Sequence, residues 1–229
     1  MAASRQEPEA PATGASRRRR LPWAWVVVGL VVIAAAAAVV ARTHVAAVTL
    51  QGAVVTPPAP APDFTLFDQD RRPVRLSDLR GKSVALTFLY THCPDVCPLI
   101  ATKMHETYLQ LGGAATRIQF IAVTVDPKGD TPGAVRGFLA THQVDGELLY
   151  LTGPVPELRS VWGEYFVGTD AKEVNPQAVS AGPTSPDVVD HTAIVYVIDP
   201  RGMLRVFLPA NFDPKDLAAD LRILSAGAK

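Results

Sequence analysis

Two almost uninterrupted apolar segments, residues 84–90 (VALTFLY) and 118–125 (IQFIAVTV), constrain the fold of this chain more than any other feature. Runs of this kind predict strands that are buried on both faces of a sheet. Between them, apolar residues recur at helical spacing over residues 100–111, and two glycines follow, which predicts a helix that ends there. A strand, a helix and a second strand in this order predict parallel strands joined by a right-handed crossover.

Shorter periodic segments extend this unit into one α/β domain. Thr131-Pro132 and Asp213-Pro214 predict two helix starts, because Thr and Asp are good N-caps and Pro suits the first helical position. The further predicted elements are a hairpin of 64–66 and 74–76, a strand at 148–151, a helix at 156–165, a long polar loop at 168–190, and a hairpin of 192–198 and 203–208. The expected fold class is α/β, with helices packed on a mixed central sheet.

The first 62 residues differ in composition from the rest of the chain. Four arginines at 17–20 precede residues 23–41, which contain no charged side chain. A helix of that length nearly spans the apolar core of a bilayer, and arginines before it favour a cytoplasmic N-terminus. We therefore expect a cytoplasmic basic tail (1–22), a transmembrane anchor (23–41), a Pro/Ala-rich linker (42–62) and an extracytoplasmic domain (63–229).

A cleaved signal peptide is the alternative interpretation of the same apolar segment, and it gives the domain the same orientation. The length of the segment favours a retained anchor, because the apolar region of a signal peptide is shorter. The expected domain contains 16 Lys and Arg against 20 Asp and Glu. A mildly acidic domain without a basic run predicts no nucleic-acid partner.

The chain has two cysteines, both in the sequence THCPDVCP at residues 91–98. They lie between the first buried strand and a helix predicted to begin near Pro98, and open α/β sheets place their sites at such strand ends. A helix N-terminus favours thiolate, which is both a nucleophile and a ligand for soft metals. Three residues separate the cysteines, where a thioredoxin-type pair has two. A disulfide, a redox pair and a metal site are all open interpretations of this spacing.

A metal site would need a further ligand, because two thiolates complete neither a zinc site nor an iron–sulfur cluster. The histidines of the chain are His44, His92, His105, His142 and His191. We expect His105 and His142 to be solvated residues on helices. We expect the side chain of His92 to diverge from its neighbour Cys93. His191 opens a predicted strand that would bring it near the first helix, although spacing alone favours a solvated loop histidine.

The sequences YTHCPDVCP, VTVDPKGDTP and DHTAIVYVIDPRG, in that order and preceded by APDFTLFDQD, resemble the Sco/SenC family of copper-binding assembly proteins. The resemblance extends from about Asp63 to Leu224. It implies a thioredoxin-like fold and a domain tethered outside the cytoplasm of a bacterial cell by one N-terminal helix. It also implies copper, as Cu(I) or Cu(II), bound by Cys93, Cys97 and His191, and a copper-accepting partner, the copper subunit of cytochrome c oxidase.

The resemblance leaves some residues and activities open. Asp95, between the cysteines, is expected either to favour the helix start or to tune the thiol pair. Asp190 is expected either to orient a neighbouring ligand or to close a loop. The family's hairpin turn usually has glycine after Asp70, whereas this chain has Arg71.

Three other functions are alternatives to copper delivery. A thiol–disulfide oxidoreductase with a redox-active disulfide between Cys93 and Cys97 is the main alternative, since an oxidising compartment permits it. A peroxidase related to the peroxiredoxins is disfavoured, because no Thr-x-x-Cys motif surrounds Cys93. A purely structural disulfide would close a very short loop and stabilise the fold little.

Overall fold

The computed structural model describes residues 23–43, 49–167 and 193–227. The chain divides into two compact units, Met1–Val48 and Thr49–Lys229. The first contains helix α1, Trp23–Thr43. Among the described residues, no helix combines the length and the apolar character needed to cross a membrane. The transmembrane anchor at residues 23–41 stays a prediction.

The second unit contains one large and one small sheet. The strands are β1 Ala53–Pro60, β2 Thr65–Phe67, β3 Pro73–Arg75, β4 Ser83–Leu89, β5 Ile118–Thr124, β6 Leu148–Leu151, β7 Ile194–Ile198 and β8 Met203–Pro209. The large sheet has the order β1-β8-β7-β4-β5-β6, and β2 pairs with β3 in the predicted hairpin. The strand β4 lies in the middle of the large sheet, where all seven of its residues are buried.

The pairing of β4 confirms the parallel unit and the mixed sheet. It runs parallel to β5, with Ser83 opposite Ile118 and Leu89 opposite Thr124. On its other side it runs antiparallel to β7, with Leu86 opposite Tyr196. The chain therefore enters β7 at the same edge of the sheet at which it leaves β4.

Helices cover both faces of the large sheet. They are α2 Val96–Leu111, α3 Pro132–Thr141, α4 Val155–Glu164 and α5 Pro214–Ala226, with two 3-10 turns at Leu76–Leu79 and Gly112–Arg117. Alternate residues of β4 face opposite layers. Ala85 and Leu89 pack in a cluster with α2, α3 and α5, whereas Leu86 and Phe88 pack in a second cluster with α4 and the small hairpin.

The predicted helix starts at Thr131 and Asp213 are confirmed. Thr131 Oγ1 accepts a hydrogen bond from the Ala134 N–H, and Asp213 Oδ1 accepts one from the Lys215 N–H. The helix that follows β4 begins at Val96, within the cysteine motif and two residues earlier than predicted. Cys97 is therefore inside α2 rather than before it.

The prediction that residues 42–62 form only a linker is wrong for residues 53–60, which form the edge strand β1 on β8. Proline is tolerated in an edge strand, because the side of the strand on which its N–H is missing can face solvent instead of a neighbouring strand. The proline content of this segment therefore predicted a linker where the chain forms a strand. The folded unit begins before Asp63, and Gly52 already packs so closely on β8 that a Cβ there would lie 2.3 Å from a Val206 methyl group.

Candidate metal centre

The two cysteines lie close together at the connection between the end of β4 and the start of α2. The Cys93 N–H donates to the Tyr90 carbonyl at 3.3 Å, which closes a tight turn directly after the strand. Cys97 is the second residue of α2 and is fully buried, and its N–H donates to the Cys93 sulfur at 3.3 Å. Both are free thiols in this structure. The proposed disulfide between them stays a prediction.

The two thiols differ in acidity because their surroundings differ. Burial opposes ionisation of Cys93, but the N–H groups of Asp95 and Cys97 and the nearby Cys97 and Tyr90 side chains outweigh it and lower its pKa. Burial dominates at Cys97 and raises the pKa of that thiol well above its usual range. Cys93 is therefore the thiol that ionises first, and Cys97 stays protonated at neutral pH.

Tyr90 is a site residue that the sequence analysis missed. Burial, followed by the interaction of its hydroxyl group with Cys93, raises the pKa of Tyr90 to about 12. The phenol is thus neutral at physiological pH and keeps a proton to donate toward the sulfur. Its position as the last apolar residue of VALTFLY, three before Cys93, was the available signal.

Asp130 is a second residue that the sequence analysis passed over. It is 4% exposed and accepts hydrogen bonds from the Thr91 N–H, the Thr124 hydroxyl and the Tyr150 hydroxyl. The sequence VTVDPKGDTP suggested only a loop followed by a helix cap. No sequence pattern predicts the partners of an acidic residue immediately before an N-cap, so only the fold reveals what Asp130 contacts.

His191 and Asp190 lie outside the described residues, so the third ligand and its neighbour stay predictions. The described chain resumes at Ala193 and enters β7 at Ile194. The Ile194 carbonyl accepts a hydrogen bond from the Thr87 hydroxyl of β4 at 3.0 Å. The start of β7 is therefore fixed beside the end of the strand that leads to Cys93.

The structure describes three other histidines, and each of them contacts a partner of its own. The ring of exposed His92 bonds through Nδ1 to the Thr91 hydroxyl at 3.1 Å, and that nitrogen lies 3.3 Å from a Cβ built on Gly129, in the loop after β5. The expectation that His105 is a solvated helix residue is wrong, because its Nδ1 lies 2.9 Å from the Glu147 carboxylate in a half-buried pair. The same expectation is wrong for His142, a half-buried residue whose ring centroid lies 4.5 Å from that of Phe138.

Burial of the imidazole also lowers the pKa of His142. Within residues 23–43, 49–167 and 193–227, no group of three or more His, Cys, Asp or Glu side chains is placed to hold a metal ion. Asp95 occupies the N-cap position of α2 and is exposed, but its side chain makes no capping hydrogen bond. The backbone N–H of Asp95 contributes to the lowered pKa of Cys93, and the proposed effect of its side chain on the thiol pair stays a prediction.

Comparison with known proteins identifies the fold and the family. The SCO1/SenC family model matches residues 55–226. Among solved structures, the copper-bound ScoI of Bradyrhizobium japonicum superimposes with a TM-score of 0.58 at 30% identity, covering 72% of this chain and 99% of that chain. The prediction of a thioredoxin-like α/β fold of the Sco type with a mixed central sheet is confirmed.

Curated relatives align over the same region. The mitochondrial SCO2 homologue of Bos taurus is 33% identical over 146 residues, which are 62% of this chain and 50% of the relative. The SCO2-like protein of Rickettsia conorii is 29% identical over 161 residues, which are 70% of this chain and 74% of the relative. The alignment thus spans about half the length of the bovine relative. Because the family model matches residues 55–226, most of the folded unit, this chain belongs to the SCO1/SenC family.

Proposed function

We propose that this protein is a metallochaperone that takes up copper as cargo through Cys93, Cys97 and His191 and passes it to the copper centre of cytochrome c oxidase. The observation that supports this most directly is the pair of free thiols at the N-terminus of α2, where the Cys97 N–H donates a hydrogen bond to the Cys93 sulfur. Two adjacent sulfurs at a strand-to-helix junction form a soft donor set suited to copper.

The ligand set fits both oxidation states of copper. Thiolates satisfy Cu(I), and an imidazole adds preference for Cu(II). His191 is three residues before β7, and three residues of chain reach at most about 11 Å. Because β7 starts at the edge where β4 ends, that reach is compatible with a ligand from His191 beside Cys93.

The relatives support the choice of copper over other soft metals. The copper-bound ScoI is 30% identical to this chain and is covered almost entirely by the match. Delivery to cytochrome c oxidase and a domain outside the cytoplasm rest on family membership and on the N-terminal sequence. We infer membrane attachment from the arginine block at 17–20 and the uncharged residues 23–41.

A second candidate function is thiol–disulfide exchange with a copper-accepting partner. The observation that favours it is the unequal acidity of Cys93 and Cys97. The Cys93 thiolate would attack a partner disulfide and release one partner thiolate, and Cys97 would then displace the second partner thiolate from the mixed disulfide. The Cys97 proton passes to a leaving thiolate, and the partner gains the two electrons that Cys93 and Cys97 lose on forming their disulfide.

Metal titration of the reduced full-length protein distinguishes the two functions. We expect wild type to bind one copper ion, and Cys93→Ser, Cys97→Ser and His191→Ala each to weaken binding. His142→Ala is the matched histidine control, because His142 lies at the C-terminal end of α3 against Phe138, and it should bind like wild type. Unchanged copper affinity in His191→Ala would show that His191 is not a ligand. Efficient reduction of a test disulfide by a protein that binds no copper would favour thiol exchange over copper delivery.

A further inference from the structure

Asp130 is a buried carboxyl group that neither copper binding by the ligand set nor thiol exchange uses. It lies between β5 and α3 and is 4% exposed. Its Oδ1 accepts the Thr91 N–H at 2.8 Å, and its Oδ2 accepts the hydroxyl groups of Thr124 at 2.5 Å and Tyr150 at 2.8 Å. A buried carboxyl group needs such partners, because burying one without them is costly.

The three donors belong to three neighbouring parallel strands. Thr91 follows β4, Thr124 ends β5, and Tyr150 lies within β6. The side chain of Asp130 therefore joins all three strands at the edge of the sheet where they end. Because Oδ2 is held by β5 and β6, the position of Oδ1, and with it that of the Thr91 N–H, is set by the sheet.

Thr91 lies where the loop that carries Cys93, between β4 and α2, leaves the sheet. Two residues later, the Cys93 N–H donates a hydrogen bond to the Tyr90 carbonyl. On the other side of the loop, Cys97 is fixed by its burial in the first turn of α2. The distance between the two sulfurs thus depends on how firmly residues 91–93 are held, and Asp130 supplies a hydrogen bond at the first of them.

We propose that Asp130 is a positioning residue of the copper site, which holds the loop through Thr91 so that the Cys93 sulfur is preset beside Cys97. This inference rests on the proposed copper function. Residues that orient metal ligands typically alter metal affinity about 10- to 100-fold when they are removed. Asp130 acts one step further out than a residue bonded to a ligand, through the backbone that presents the ligand.

The test is Cu(II) titration of the reduced full-length protein, with the electron paramagnetic resonance and thiolate-to-copper absorption of the bound ion as readouts. Asp130→Ala removes the acceptor of all three bonds and is expected to weaken Cu(II) binding about 10- to 100-fold and to change both spectra. Asp130→Asn retains an oxygen for the Thr91 N–H but presents an amide NH2 group to the Thr124 and Tyr150 hydroxyl groups, so it is expected to weaken Cu(II) binding less than Asp130→Ala and to change the spectra less. Leu224→Ala, a core change in α5, is the control: it should lower stability without changing the spectra.

Each outcome decides the inference. Wild-type affinity and spectra in Asp130→Ala, or equal losses in Asp130→Ala and Asp130→Asn, would overturn it. If Asp130→Ala does not fold, Tyr150→Phe replaces it, because it removes one donor to Oδ2 and keeps the ring. It should weaken Cu(II) binding in the same direction, and wild-type binding there would overturn the inference. A wild-type protein that binds no copper would instead overturn the proposed function beneath it.

Discussion

The backbone N–H of Cys97 donates to the sulfur of Cys93 across 3.3 Å. The first turn of α2 therefore stabilises negative charge on one cysteine by using the backbone of the other. The thiol that receives this hydrogen bond has a lowered pKa, and the thiol that is buried in the helix has a raised one.

This difference predicts an order of alkylation in the reduced, metal-free protein. At pH 7, iodoacetamide should modify Cys93 first, because only thiolate reacts and Cys97 stays protonated and buried. Since the pKa of Cys93 is below the ordinary thiol value, its reaction should persist as the pH falls, whereas Cys97 should react only after unfolding. Peptide mass spectrometry over a series of times and pH values measures the order. Equal modification of both cysteines would contradict it.

The position of the two cysteines could be predicted from the sequence, because they directly follow a buried strand. Strand β4, the parallel pairing with β5 and the caps at Thr131 and Asp213 all follow from local patterns. The network of Asp130 could not be predicted in this way. Its three donors are 39, 6 and 20 residues away along the chain, so only the folded sheet brings them together.

The edge strand β1 was missed for a different physical reason. Its composition, AVVTPPAP, has the pattern of an extended linker, and most of its side chains are exposed. Pairing with β8 and the Asp220 contacts at Gln51 and Gly52 hold it in place. Interactions with distant parts of the chain override local composition here.

Arg71 is in a left-handed backbone conformation, with φ of 63°, in the turn between β2 and β3. Asp68 holds this turn by accepting the N–H groups of Asp70 and Arg72. A glycine has no Cβ to oppose this conformation, so Arg71→Gly should raise the free energy of unfolding by about 0.5–1 kcal/mol. Urea denaturation measures the change.

The neighbouring residue provides the matched control for that substitution. Arg72 makes an exposed ion pair with Asp70 at 3.3 Å and has no positive φ. Arg72→Gly should therefore lower stability slightly, because glycine adds freedom to the unfolded chain. Stabilisation by Arg72→Gly, or destabilisation by Arg71→Gly, would show that the left-handed conformation is not the cause.

Asp199 is a buried carboxylate in the turn between β7 and β8. Burial opposes its ionisation, but the N–H groups of Met203 and Arg201 and the Arg205 guanidinium outweigh burial and lower its pKa below 3.8. A carboxylate with a lowered folded-state pKa stabilises the fold above its unfolded pKa, and this contribution is lost as the pH falls through the folded value. Asp199→Asn should thus cost about 1–3 kcal/mol at pH 7.

The pH dependence provides the check on this assignment. The difference in unfolding free energy between wild type and Asp199→Asn should shrink as the pH is lowered below 3.8, the ordinary value for the carboxyl group. Urea denaturation at pH 7 and at pH 3 measures both differences. A difference that is constant across this range would assign the loss to shape rather than to charge.

Asp220 of α5 holds the start of β1. Its two carboxyl oxygens accept the N–H groups of Gln51 at 2.8 Å and Gly52 at 3.2 Å, and it is fully buried. Asp220→Ala would leave both donors without these acceptors, at a cost of about 1–3 kcal/mol. Because β1 is an edge strand paired with β8 alone, the loss should appear first as faster hydrogen exchange in residues 53–60.

Hydrogen exchange measured by mass spectrometry separates this local release from general destabilisation. In Asp220→Ala, peptides of β1 should exchange faster, whereas peptides of the central strand β4 should stay protected. Asp216→Ala is the matched control, because it removes a half-exposed acid one turn earlier on the same helix and leaves the Asp220 bonds intact. Unchanged exchange of β1 in folded Asp220→Ala would show that pairing with β8 alone secures the strand.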